Sequence, residues 1–336
     1  MRFPVQESWK NDLPPALRAR IAELHHLSVW TWLKIPFMFG IWGATALVAV
    51  HNESLWIRIP CWILIGFTLH GLGVFMHEGA HGSLFRRSRL DRVVGFLCGL
   101  PIFFSCTCYR ATHLLHHQHE NTAKDPDNLY ATVPVPLLRW LIYFGWFAFG
   151  MPIYILIITV SGPFRASGIR EKVACVAETL AIIAFDGTLF YLASRFGFLP
   201  VLVNGWLFGI LFAMVIANFR GLAEHTQLRH KQPPDPFRST RTTPSNALIS
   251  FFFNNQNYHL EHHLFTGVPW NNLPRVHQLM EPIYRKREAS ISRGYLAWVV
   301  DALRYGPNRT LHYTADRQPV LDSPRSVTSG FDIGRS

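Results

Sequence analysis

The chain has 336 residues, of which 49% are apolar, only 16% are charged and 14% are aromatic. That balance excludes a disordered or collagen-like chain and leaves room for one large domain or two ordinary ones. The formal net charge of +11 would suit nucleic acid, an anionic membrane or an acidic partner, yet no zinc-finger, RNP-type or basic-zipper pattern accompanies it.

Residues 1–27 are polar, carry Pro4, Pro14 and Pro15, and lack the basic start and apolar core of a signal peptide. We read them as an N-terminal cytosolic segment. The run 28–50 is apolar and, at ~1.5 Å per residue, about 34 Å long, enough for a hydrocarbon core of roughly 30 Å. His51–Ser54 is a polar break, and 56–76 reads as a second span, with Arg58 near its start able to snorkel. The basic stretch 86–92 precedes 93–109, which Gly95, Gly99 and Pro101 interrupt; it reads as interfacial or re-entrant. The run 137–160 holds Arg139, Gly145, Gly150 and Pro152, and reads as interfacial too. Runs 173–194 and 198–219 form a tight hairpin through Arg195-Phe196-Gly197. Residues 306–336 show no periodicity and read as a flexible tail.

Basic residues set the orientation. Lys10, Arg18, Arg20, Arg86, Arg87, Arg89, Arg92, Arg165, Arg170, Lys172 and Arg220 fall on one side of this arrangement, and only Arg58 and Arg195 on the other. The expected fold is therefore an all-α, multi-pass membrane domain over 28–305. It has four spans in two hairpins, a cytosolic helical cap, and both termini cytoplasmic. The alternative, in which 137–160 crosses and a later run does not, is the weaker one.

Histidine placement carries the functional reading. Three short clusters, His77–His81, His113–His119 and His259–His263, hold nine of the 17 histidines. His77 and His81 are spaced i, i+4; His113, His116 and His117, and again His259, His262 and His263, are spaced i, i+3, i+4. Residues so spaced share one helix face. Neutral imidazole binds Fe, Zn, Cu and Ni. Eight imidazoles exceed the need of one ion with an open position and suit two. All three clusters fall on the basic side of the spans. His119 lies off the ligand face. The acids Glu78, Asp125, Asp127, Glu224 and Glu261 and the amide Asn257 flank the clusters, and ligating histidines commonly give their second N–H to such groups. His70, seven residues before His77, and Asp186 are intramembrane ionisable residues. Cys106 and Cys108 form a CxC pair that reads as structural, and five cysteines make no disulfide framework.

The segments HEGAHGSLF at 77–85, YRATHLLHHQHENTAKDPD at 109–127 and NYHLEHHLFTGVPWNNLPRVH at 257–277 resemble the integral-membrane fatty acid desaturases and related hydroxylases, through about residues 70–280. The resemblance implies four membrane helices, a cytosolic cap, and two Fe ions that use O2 and electrons from an external ferredoxin or cytochrome b5-type donor. It also implies one more ligand shortly after the last span, a place that His225 fits. Acyl desaturases often carry Cys or another small residue where Gly79 stands. His259 stands where front-end desaturases often have Gln, and no haem-binding segment of the fused kind is present.

Three functions follow as expectations. A desaturase would place a double bond in a membrane lipid's acyl chain. A carotenoid or sphingolipid hydroxylase or ketolase would share the same centre. A membrane metal transporter or sensor belongs to another class, but would place ligands near mid-membrane. A zinc hydrolase would need one ion and a general base.

Overall fold

The computed structural model describes residues 8–120, 124–127, 133, 135–228, 235–307, 311–314, 316, 317 and 319–321. The described residues are almost wholly helical. In chain order come α1 (Pro15–Glu23), α2 (Val29–His51), α3 (Leu55–His81), α4 (Ser88–Gly99), α5 (Cys106–His119), α6 (Pro136–Arg165) and α7 (Ile169–Phe196). There follow α8 (Leu199–Leu202), a π-helical turn at Val203–Leu207, α9 (Phe208–His225), α10 (Ala247–Phe252), α11 (His259–Leu264), α12 (Leu273–Arg287) and α13 (Tyr295–Tyr305).

Among the described residues, five helical stretches are long and apolar enough to cross a membrane: α2, α3, α6, α7 and the run Leu199–His225. The chain is a multi-pass membrane protein. The expected spans account for four of these. The fifth, α6, contains the 137–160 segment expected to be interfacial, so length and apolarity alone do not fix the count at four. The 93–109 segment is split between α4 and α5, whose axes bend by 100°. Phe103, at φ 62°, stands at the bend.

The core is built on α3, whose residues from Leu69 to Ala80 are nearly all buried. Small residues let its neighbours approach. A Cβ on Gly66 would lie 2.5 Å from the Phe212 Cβ, and one on Gly209 2.2 Å from the Ile65 side chain, so α3 and α9 touch almost backbone to backbone. Leu69, Leu72, Phe75, Trp206 and Ile210 fill the space around that seam. A second apolar cluster, with Trp9, Phe237, Leu260, Leu273 and Tyr284, holds the N-terminal segment, α11 and α12 together.

Within the 306–336 segment expected to be a flexible tail, the described residues include a short ordered pair of strands. Leu311–Tyr313 pairs antiparallel with Pro319–Leu321. Leu311 and Tyr313 are fully buried with Tyr143, Leu222 and Trp298, and the Tyr313 hydroxyl donates to Asp301 at 2.8 Å. Aperiodic sequence hid this segment because two three-residue strands are too short to show a pattern. Residues 322–336 lie outside the described residues. Burying a Leu and a Tyr contributes about 1.5–3 kcal/mol each. Deleting residues 307–336 is therefore expected to lower the melting temperature of the purified protein by several degrees, readable by a thermal-shift assay.

Candidate metal centre

Each histidine cluster sits where a helix begins or ends. α3 stops at Gly82, whose φ of +75° is the left-handed conformation that glycine adopts without strain. The Gly82 and Ser83 N–H groups close the last turn onto Gly79 and Glu78 carbonyls, which places His77 and His81 in the final turns. The Ser105 hydroxyl accepts from the Cys108 N–H and starts α5, whose inner face then presents His113, His116 and His117. α11 is only six residues long, and supplies His259, His262 and His263. α9 ends on His225.

These nine side chains converge. One ligand atom each from His77, His81, His113, His117 and His262 lies within 4.8 Å of the others. A second group joins His116, His225 and His263 with Glu120, and a third joins His225 and His259 with Glu224. The second and third share His225. The nine imidazoles thus divide into five around one point and four, His116, His225, His259 and His263, around another. His119 belongs to none of the groups.

The donor chemistry fits metal ions. Among the described residues, both ring nitrogens of His77 and of His262, and the Nε2 atoms of His81 and His116, are buried without a hydrogen-bond partner. Imidazole nitrogens also face one another: Nε2 of His225 and His259 are 2.7 Å apart, those of His113 and His117 3.0 Å, and those of His259 and His263 3.1 Å. Buried unpaired nitrogens and facing lone pairs cost free energy, and a cation between them removes that cost. No cysteine enters any group, so the donor set is imidazole with carboxylate at its edge.

Carboxylates orient the rings. His116 Nδ1 and Asp125 Oδ1 form a 2.8 Å hydrogen bond, leaving Nε2 for the centre. Glu120 Oε2 lies 3.1 Å from His263 Nδ1 and takes the Ser239 hydroxyl at 2.7 Å. Glu224 Oε2 lies 3.4 Å from His259 Nδ1, while its Oε1 accepts from Tyr295. Glu78 is 3.6 Å from His77 and is held by Ser83 and Gln256. Two expected neighbours are turned elsewhere. Glu261 bonds His277 at 2.6 Å and the Thr242 hydroxyl, tying α11 to α12. Asn257 donates to the Thr243 carbonyl. Glu120 and Tyr109, whose ring stacks 4.6 Å from His113, are site residues that sequence reading passed over. Glu120 is one residue past α5, and a helical register assigns no direction to a residue beyond the helix.

Charge within the centre is uneven. Burial holds His259, His262 and His263 well below 6.5. Burial also lowers His116, but Asp125, Asp127 and Glu120 outweigh it and lift the group to about 10. Burial pushes Glu120 up to about 7. The metal-free protein therefore carries a proton on His116 at neutral pH, which a metal must displace. Loading should strengthen as pH rises towards 10. Replacing Asp125 by Asn should weaken metal binding about 10–100-fold and flatten that pH dependence. Metal titration of the stripped protein at pH 6.5 and 8.5 reads both.

A cavity of about 220 Å³ opens on this centre. His77, His113, His116, His225 and His259 form one end. Leu69, Val74, Ile102, Ile210, Ala213 and Met214 are among the apolar residues that line the rest, between α3, α5, α6 and α9. A smaller one, about 60 Å³, is lined by His81, His117 and His263 together with Trp9 and Lys10.

The profile of the fatty acid desaturase family matches residues 53–295, which includes all nine histidines that converge on the centre. The chain belongs to the fatty acid desaturase family. It is an oxidoreductase of that family. Its relatives carry names that differ in substrate and in reaction. It is 25% identical to the sn-1 oleoyl-lipid 12-desaturase of a Picosynechococcus species, over 79% of this chain and 80% of the relative. It is 28% identical to a β-carotene ketolase of a Paracoccus species, over 68% and 86%. It is 22% identical to a ferredoxin-type sn-1 acyl-lipid omega-3 desaturase of a Nostoc species, over 72% of each.

Proposed function

We propose that this desaturase-family protein introduces a double bond into the acyl chain of a membrane lipid, using O2 and a di-iron centre. The carrying observation is the division of nine buried imidazoles into five and four about two points, both at the end of an apolar cavity. His77, His81, His113, His117 and His262 would hold one iron; His116, His225, His259 and His263 the other. Two irons bound there would reduce O2, with two electrons from outside, and supply the oxidant that an unactivated methylene requires.

The chain's own residues do the rest. Leu69, Val74, Ile210, Ala213 and Met214 bury an acyl chain and exclude water from the reacting carbon. Asp125, Glu224 and Glu120 fix ring orientation. The small cap-side cavity past Trp9 and Lys10 supports a cytosolic approach for the electron donor, with a ferredoxin or a cytochrome b5-type protein as the class. The basic cap suits an acidic donor, and one relative is a ferredoxin-type desaturase by name.

The same reading keeps four spans, with the histidines and both termini cytoplasmic. α6 supports it by where it touches the site. Mid-helix, the Tyr154 hydroxyl donates to Asp127 at 3.0 Å, and towards its end Gly162 packs on Cys108 of the histidine-bearing α5. The second reading, a carotenoid or sphingolipid hydroxylase or ketolase, draws on the similarity to the β-carotene ketolase.

Lipid and pigment profiling of expressing cells, with a His262→Ala control, tests the function. A new unsaturated acyl chain that the control lacks is the expected outcome. A new hydroxylated or ketolated lipid would replace the first reading by the second. Zinc at one ion per purified chain would reject both.

A further inference from the structure

Deep in the apolar cavity stand two polar side chains that the metal centre does not use. His70 lies seven residues before His77 on α3, and Asn218 seven residues before His225 on α9. Seven residues are two helical turns, so each sits ~10 Å beneath a metal-site histidine and on the same face as that histidine. α3 and α9 run side by side in the same direction, with Gly66 seated against Phe212 and Ala213. His70 and Asn218 are therefore near one level, and both line the cavity.

Neither is satisfied. His70 is 6% exposed, and its Nε2 has no hydrogen-bond partner among the described residues. Its ring meets the edge of Phe253 at 4.7 Å, which fixes its position. Asn218 is 1% exposed; its Nδ2 donates to the Phe147 carbonyl at 3.2 Å, and its Oδ1 has no partner among the described residues. Two residues nearer the histidines, Arg220 lines the same cavity; it pairs with Glu224 at 3.2 Å, and its Nη1 has no hydrogen-bond partner among the described residues. A plain hydrocarbon would leave all of these groups stranded, which is costly in a buried site.

We propose that His70 and Asn218 form a subsite for a hydroxyl group on the lipid chain, ~10 Å beneath the metal-site histidines. The Asn218 amide is oriented by its bond to Phe147, so its free Oδ1 only accepts. A hydroxyl donates to Oδ1 and still accepts from His70 Nε2–H. A ketone or an existing double bond could not serve Oδ1. The preferred substrate is then a hydroxylated chain, and plain chains are rejected because they leave buried polar groups unpaired. This inference rests on the reading of the cavity as an acyl site.

The test is binding, not turnover. Purified, metal-loaded protein in nanodiscs is titrated with a fluorescent acyl probe. Methyl stearate and the positional series of methyl hydroxystearates then compete for the site. One hydroxyl position should bind about tenfold tighter than methyl stearate, with the others no tighter. In His70→Leu and Asn218→Leu that maximum should vanish, while His70→Gln should retain part of it. Iron content and melting temperature confirm that the variants are folded. A flat series in the unmodified protein, or a maximum that survives both leucine variants, overturns the subsite and leaves the acyl reading standing. If no chain displaces the probe, the acyl reading falls and the subsite with it.

Discussion

The His262→Ala protein is expected to lose turnover by more than about a hundredfold and to bind less metal than the unmodified chain. His262 is 1% exposed, and both its ring nitrogens lack a hydrogen-bond partner among the described residues. Its ring centroid lies 4.6 Å from that of His77, 4.7 Å from His81 and 5.1 Å from His117. No other described contact explains an unpaired imidazole held among three others. Losing even an outer partner of a ligand commonly costs 10–100-fold, so losing the ligand itself should cost more. The fold should survive, because Leu260 and Leu264, on the other side of α11, carry its packing into the second apolar cluster. Metal content by elemental analysis, with turnover in the same preparation, reads the result. Full activity with full metal content would remove His262 from the centre and break the five-and-four division.

Gly79→Ala should be the most damaging methyl addition near the site. A Cβ at Gly79 would lie 2.6 Å from the Asp91 carbonyl oxygen and 2.9 Å from the Gly95 Cα, both of them backbone atoms that no rotamer change can move. Gly95 is pressed in turn against the Cys106 Sγ, at 2.7 Å from its own ideal Cβ. The three helices α3, α4 and α5 are thus stacked through Gly79, Gly95 and Cys106. Pushing α4 outwards would disturb the start of the helix that carries His113, His116 and His117. Overpacking of this kind costs about 1–3 kcal/mol. The expected outcome is a lower melting temperature together with reduced metal binding. Gly43→Ala, in α2 with open space around it, is the control and should be neutral or mildly stabilising. Equal melting of both variants would show that the helices can separate freely.

Much of the site was legible in the sequence, for a local reason. The i, i+3, i+4 spacing of His113, His116 and His117 puts three imidazoles on one face whenever the segment is helical, because 3.6 residues per turn is a property of the backbone. The same holds for His259, His262 and His263. Four of the apolar runs were long enough to read directly as spans. Arg139, Gly145, Gly150 and Pro152 made a fifth run look broken, yet α6 is continuous from Pro136 to Arg165. Neighbouring helices and lipid-facing apolar side chains tolerate such residues in a long helix.

By itself, then, the sequence determined that this is a helical membrane protein with a polyhistidine centre, since length, apolarity and helical period are local quantities. Only the tertiary structure decided which histidines share a point. Nothing in the second cluster separates His116 from His113 and His117; the separation arises because His225, His259 and His263 arrive from other helices on one side of α5. Glu120 joins the site and Glu261 leaves it for His277 by the same cause. A carboxylate's partner is set by contacts between residues far apart in the chain, and these depend on how closely glycine and alanine let the helices approach. The burial of Leu311 and Tyr313 belongs to the same class, because two three-residue strands gain stability only from the surface that they cover.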